Sequence, residues 1–150
     1  MDSAKPVSTP LAWHFRLSAV MSPSSEKENI HMTRVPYANT VGSLMYAMAC
    51  THPDIAHAVS VVSIYMTEPS RKHWEVVQWI LRYLKGTVDK GLVYGGKTCK
   101  VSGFVDSDYA RDLDRRRSTT GYVFKLHGAP VSWRSMLQTQ LRFRLFDNRG

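Results

Sequence analysis

The sequence predicts an α+β fold in which helices come first and an antiparallel sheet follows. Apolar residues recur at helical spacing between residues 37 and 86. Between 91 and 134 the pattern changes to short strand-like runs broken by glycine and proline turns. Helices followed by strands, rather than an alternation of the two, argues for segregated helical and sheet parts. No internal repeat is visible.

Residues 1–36 read as an extended connector. They hold four prolines, Pro6, Pro10, Pro23 and Pro36, and several serines, with no sustained period. The apolar run Leu11-Ala12-Trp13-His14-Phe15-Arg16-Leu17 reads either as a short buried anchor or as a partner-docking segment.

Three helices are expected over 37–86. Val41, Leu44, Met45 and Met48 follow the i, i+3, i+4, i+7 spacing of the first. Thr51-His52-Pro53-Asp54 starts the second: Thr51 can cap, Pro53 suits an early position, and Asp54 suits the positive end of the helix dipole. Its buried stripe would be Ile55, Val59, Val62 and Met66, ending at Glu68-Pro69. Ser70 caps the third, with Trp74, Val77, Ile80, Leu81 and Leu84 on one face and Gly86 as its stop. His52, His57 and His73 have no metal-ligand spacing and read as structural or exposed.

Four strands are expected next: 91–95, 101–105, 121–126, and a last one beginning at Val131-Ser132-Trp133 after the turn His127-Gly128-Ala129-Pro130. Tyr122, Phe124 and Leu126 would share a face.

Composition narrows the functional classes. A chain of 150 residues with 43% hydrophobic and 11% aromatic content can form a core. Cys50 and Cys99 are too few for a disulfide framework and suit a reducing intracellular compartment, cytoplasmic or nuclear. No apolar run approaches about 18 residues, so no membrane span and no membrane partner are expected. The net charge is +8, and it is uneven: residues 1–110 hold 11 Lys/Arg against 9 Asp/Glu, residues 111–150 hold 9 against 3. Such a basic end points among partners to polyanions, nucleic acid first, while on charge alone a solvated surface or an unfolded tail is the simpler reading.

Val105-Asp106-Ser107-Asp108 is the sharpest chemical feature. A carboxylate on a rigid strand can bind Mg²⁺ through oxygen, and several carboxylates can hold two ions for phosphodiester cleavage. The competing reading is an Asp that bonds nearby backbone amides. Asp106 and Asp108, two apart, would share a side of a regular strand. Arg115-Arg116-Arg117-Ser118-Thr119 can contact phosphates, or can form a charged loop paired with Asp112 and Asp114.

Several spaced motifs together resemble copia-type retrotransposon Pol polyproteins. They are Lys5-Pro6-Val7-Ser8-Thr9-Pro10, Arg34-Val35-Pro36-Tyr37…Val41-Gly42-Ser43-Leu44-Met45-Tyr46-Ala47, and His52-Pro53-Asp54-Ile55…Ala58-Val59. His73-Trp74…Val77…Leu81-Arg82-Tyr83-Leu84-Lys85-Gly86-Thr87 and Gly103-Phe104-Val105-Asp106-Ser107-Asp108-Tyr109-Ala110…Asp112…Arg116-Arg117-Ser118-Thr119-Thr120-Gly121-Tyr122 complete the set. They keep the family's order over nearly all of residues 3–138.

The resemblance implies that residues 37–86 belong to the helical end of the reverse transcriptase and its connection. Residues 91–138 would be the opening, incomplete antiparallel sheet of the ribonuclease H domain. In that family the domain hydrolyses the RNA of an RNA–DNA hybrid with Mg²⁺ held by clustered carboxylates. Asp106 matches the first catalytic carboxylate, and Asp106 with Asp108 would be the metal ligands. Arg115, Arg116, Arg117, Lys125 and Arg134 would face nucleic acid.

Two departures qualify this. Arg111 stands where the family has glycine. Residues 139–150 form an unmatched basic tail, Thr139-Gln140-Leu141-Arg142-Phe143-Arg144-Leu145-Phe146-Asp147-Asn148-Arg149-Gly150, where the family continues to a helix bearing Thr-Glu-Ala-Glu. The expectation is a truncated, inactive remnant, lacking the second carboxylate and the polymerase palm, with no Mg²⁺ bound productively. A shifted reading frame is the hypothesis for the tail; finding no Thr-Glu-Ala-Glu in the other frames of the encoding DNA would count against it. Two rival readings are a non-catalytic nucleic-acid-binding module and a protein-interaction fragment that self-associates through unpaired sheet edges.

Overall fold

Why the helical part holds together is visible first in its buried stripes. In the computed structural model, which describes residues 4–21, 23, 25–95, 100–108 and 117–138, helix α2 spans Tyr37–Cys50 and buries Tyr37, Val41 and Leu44. The spacing i, i+4, i+7 puts these on one side of the cylinder. Met45, expected on that stripe, is 41% exposed. A 3-10 turn, Pro53–Ile55, leads into α3, Ala56–Ser63. Ile55, Val59 and Val62 are buried as expected, but α3 stops at Ser63, short of Glu68-Pro69, and leaves Met66 outside the helix and 36% exposed. No side chain caps the 3-10 turn, so the capping expected of Thr51 does not occur; Thr51 Oγ1 bonds His52 Nδ1 instead.

Helix α4 spans Arg71–Lys85. Ser70 is its N-cap, and His73 takes the role usually given to Glu or Gln: its Nδ1 accepts the Ser70 backbone N–H at 2.9 Å. The His73 ring also stacks on Tyr65, 4.1 Å between centroids. Val76, Val77 and Ile80 are fully buried, while Trp74, Leu81 and Leu84 pack at the margin. Gly86 ends the helix in a right-handed conformation, φ −79°, not the left-handed one expected of a stop glycine. Its small size matters for another reason: a Cβ there would stand 3.1 Å from Pro6 Cβ.

That contact belongs to a strap. Thr9 O accepts the Trp79 indole N–H at 2.8 Å, Lys5 O accepts from Arg82 Nε at 2.7 Å, and Ala4 O accepts from Lys85 Nζ at 3.2 Å. Further along, Ala12 and Leu17 are buried and Phe15 meets the Trp79 ring edge-on, so the segment 11–17 is an anchor. Residues 1–36 are not helix-free, however. Helix α1, Glu26–Thr33, starts at Ser25, whose Oγ accepts the Glu28 N–H, and it follows a short 3-10 turn, Ala19–Met21.

The sheet has three antiparallel strands in the order β1-β2-β3: Val101–Asp108, Thr119–Leu126 and Ala129–Leu137. The α+β arrangement is therefore observed. The strand expected at 91–95 does not form; Val93 is 84% exposed there, although Tyr94 Oη donates to Pro130 O. β1 and β2 pair without interruption from Val101↔Leu126 to Asp108↔Thr119. β2 turns into β3 through His127 (φ 52°) and Gly128 (φ 84°), the paired positive φ values of a two-residue type I′ hairpin. A register shift at Phe124/Lys125 follows. The helices meet the sheet along β3: Trp133 Nε1 donates to Met48 O at 2.8 Å, and Ser60 Oγ donates to Ser135 O at 2.6 Å. Among the described residues no helix is long and apolar enough to cross a membrane.

Candidate functional site

Asp106 sits within β1, not at its end, opposite Gly121. Gly121 has no side chain, so space is left beside the carboxylate. Side chains alternate between faces along a strand, and opposed residues share a face. Phe104, Asp106, Val123, Gly121, Trp133 and Ser135 therefore line one side, the side that Met48 and Ser60 approach. Between this side and the start of α3 lies a groove of about 660 Å³, whose lining includes Pro53, Asp54, His57, Phe104, Asp106 and Tyr122.

The Asp106 carboxylate is exposed, and its Oδ1 accepts the Ser107 backbone N–H at 2.9 Å. This is the backbone-bonding behaviour that competed with metal binding in the sequence. Asp54 is the other carboxylate lining the groove among the described residues, and it is engaged: Tyr83 donates its hydroxyl to Asp54 Oδ2 at 2.5 Å. The Tyr83 hydroxyl is pushed up to about 12, first by burial and then by this hydrogen bond and the adjacent negative charge. Asp108 occupies the β1 position opposite Thr119. Among the described residues no three His, Cys, Asp or Glu side chains come together as a metal-holding group.

Lys125 places its Nζ 5.1 Å from the centre of the Phe104 ring. Arg134 pairs opposite Tyr122, at register positions of the other face, and both residues also border the groove. Arg117 is half-buried just before β2, beside the buried Ser118, whose carbonyl accepts the Gln138 N–H at 2.8 Å. Arg115, Arg116, Arg111, Asp112, Asp114, Cys99 and the tail 139–150 lie outside the described residues. Sequence reading missed Asp54 and Tyr83 as groove-side partners: Asp54 carried only a helix-start signal, and Tyr83 none.

No family model matches the chain, and no solved structure matches it. Curated proteins do. The chain is 54% identical over 138 residues to the retrovirus-related Pol polyprotein from transposon TNT 1-94 of Nicotiana tabacum, covering 92% of this chain and 10% of that polyprotein. It is 39% identical over 144 residues to the retrovirus-related Pol polyprotein from transposon RE2 of Arabidopsis thaliana, covering 92% of this chain and 9% of the relative. The secreted RxLR effector protein 161 of Plasmopara viticola is 46% identical over 108 residues, 71% of this chain and 76% of that protein. The chain thus spans about a tenth of the length of the Pol polyproteins it matches.

Proposed function

This chain belongs to the retrovirus-related Pol polyproteins of copia-type transposons, and from that premise we propose that its 150 residues make a transposon-derived polypeptide without hydrolytic or polymerising activity of its own. On this reading residues 37–86 derive from the reverse-transcriptase end and connection, and β1–β3 from the opening strands of a ribonuclease H domain.

One observation carries the proposal. Among the described residues Asp106, the position matching the family's first catalytic carboxylate, shares its groove with one other carboxylate, Asp54, and that one is held by Tyr83. A two-ion centre needs carboxylates that face each other across both ions. The donor set among the described residues does not suit such a Mg²⁺ pair, and no step is derived through it. The test is cleavage of the RNA strand of an RNA–DNA hybrid by the purified chain in Mg²⁺. No cleavage is expected; cleavage that disappears in Asp106→Asn overturns the proposal.

A second reading, nucleic-acid binding without catalysis, is favoured by the charge of +8 and its concentration in the last quarter. Phosphate contacts from Arg115, Arg116, Arg117, Lys125 and Arg134 would give an affinity that falls steeply with salt. Titration of a labelled hybrid at two salt concentrations tests it: an undetectable or salt-independent affinity removes this reading.

A further inference from the structure

We propose that strand β1 is a self-complementary edge that pairs with β1 of a second copy of this chain, antiparallel, about a two-fold axis through Gly103. Among the described residues β1 has a partner on one side only, β2. The helices bond the sheet at β3, the far edge, and β1 borders the start of α3 through the groove that holds Phe104 and Asp106, with its outer strand edge unpaired among the described residues.

The open groups of the edge can be assigned. The His127 N–H donates to Lys100 O at 3.2 Å, so Lys100 directs its backbone groups towards β2. In an antiparallel ladder the N–H and C=O of one residue point the same way, and successive residues alternate. Val101, Gly103, Val105 and Ser107 therefore direct theirs outward. The Ser107 N–H is already taken by Asp106 Oδ1. The free edge thus consists of Val101, Gly103 and Val105.

Only one antiparallel register uses all three and spares Ser107. It sets Gly103 against the second copy's Gly103 and Val101 against the second copy's Val105. The same register brings Lys100 opposite the second copy's Asp106, twice by symmetry. Both are exposed, and opposite charges directly across a strand pair stabilise it. Sliding the partner by two residues instead sets Val101 against Ser107, whose N–H is occupied. On the face away from the helices, Val101 and Val105 are 67% and 73% exposed, and Phe124, whose ring lies over Gly103, is 43% exposed. Pairing would join these into one apolar strip across the four central strands of a six-stranded sheet. An isologous two-fold contact of this kind closes on itself and stops at a dimer.

Sedimentation of the full chain over a range of concentrations tests this. A monomer–dimer equilibrium is expected. Lys100→Asp should weaken it roughly tenfold by placing like charges opposite each other twice. Adding Asp106→Lys should restore it. Val105→Pro removes an outward N–H without touching the β2 ladder and should also weaken it, with the circular dichroism of the monomer unchanged. A chain that stays monomeric throughout overturns the proposal. Association that survives Val105→Pro, or that the charge exchange fails to restore, overturns it as well. Hybrid cleavage is a separate readout, so neither result decides the other.

Discussion

Tyr83 and Asp54 are joined by a 2.5 Å hydrogen bond that ties the end of α4 to the 3-10 turn opening α3. The two residues are 29 positions apart, and this bond fixes the helical wall of the groove that contains Asp106. Tyr83→Phe keeps the ring and removes the bond. The expected loss is about 0.5–1.5 kcal/mol, at the lower end because the pair is partly exposed. Urea denaturation of the two proteins measures it, and an unchanged midpoint would mean the bond is not formed in solution.

Stability should decline at alkaline pH. Tyr83 ionises from an ordinary 10.0 in the unfolded chain but only at about 12 when folded, chiefly because of burial. Tyr37 is raised in the same direction, by burial and then by Tyr65, and its hydroxyl donates to Val62 O at 2.9 Å. A raised folded value means the stabilisation is complete below pH 10 and is lost as pH climbs through 10 to about 12. Tyrosinate absorbance should show a late-ionising fraction that includes Tyr37 and Tyr83, and Tyr37→Phe should diminish that fraction.

The sheet offers a steric test. A Cβ on Gly103 would come within 2.7 Å of Phe124 Cε1. Gly103→Ala must therefore push the ring aside, at an expected cost of about 1–3 kcal/mol. Combining it with Phe124→Leu should recover part of that loss. Strict additivity of the two changes in thermal denaturation would contradict the contact.

The β2–β3 turn is improvable. His127 is a non-glycine residue at φ 52°, and its Nδ1 is buried with no hydrogen-bond partner among the described residues. Asn tolerates this conformation better, and Asn-Gly is the preferred pair for a type I′ turn. His127→Asn should gain a few tenths to about 1 kcal/mol. A lower melting temperature would show that the imidazole has a compensating contact.

The core is the least forgiving region. Ile80 is fully buried on α4, within a cluster that includes Val41, Val59, Val62 and Val77. Ile80→Ala should cost about 2–5 kcal/mol. A loss under about 1 kcal/mol by urea titration would mean the cavity collapses.

What the sequence disclosed follows from where the apolar side chains go. Helices α2, α3 and α4, with the 3-10 turn that opens α3, bury Val41, Leu44, Ile55, Val59, Val62, Val77 and Ile80, and burial imposes the spacing that reveals them. Helix α1 buries only Met32, so no stripe announces it; the Ser25-x-x-Glu28 capping pattern was the available signal. The run at 91–95 is strand-like by residue type, yet among the described residues no neighbour completes a ladder with it. Asp106 was legible because a carboxylate interrupts an apolar strand. Asp54 was not, since its role depends on Tyr83 in another helix.

The strap over α4 bears on the order of folding. Its bonds to Trp79, Arg82 and Lys85 span 70, 77 and 81 residues of chain. Residues 4–9 are synthesised before α4 and have none of these partners until α4 has been made. Contacts of such sequence separation are made late, because loop closure costs entropy before the contact repays it. All three acceptors are backbone carbonyls, so most side chains of the strap can change without loss of these bonds. The strap is thus made before α4 yet docks after it, sealing a helix already formed beneath it.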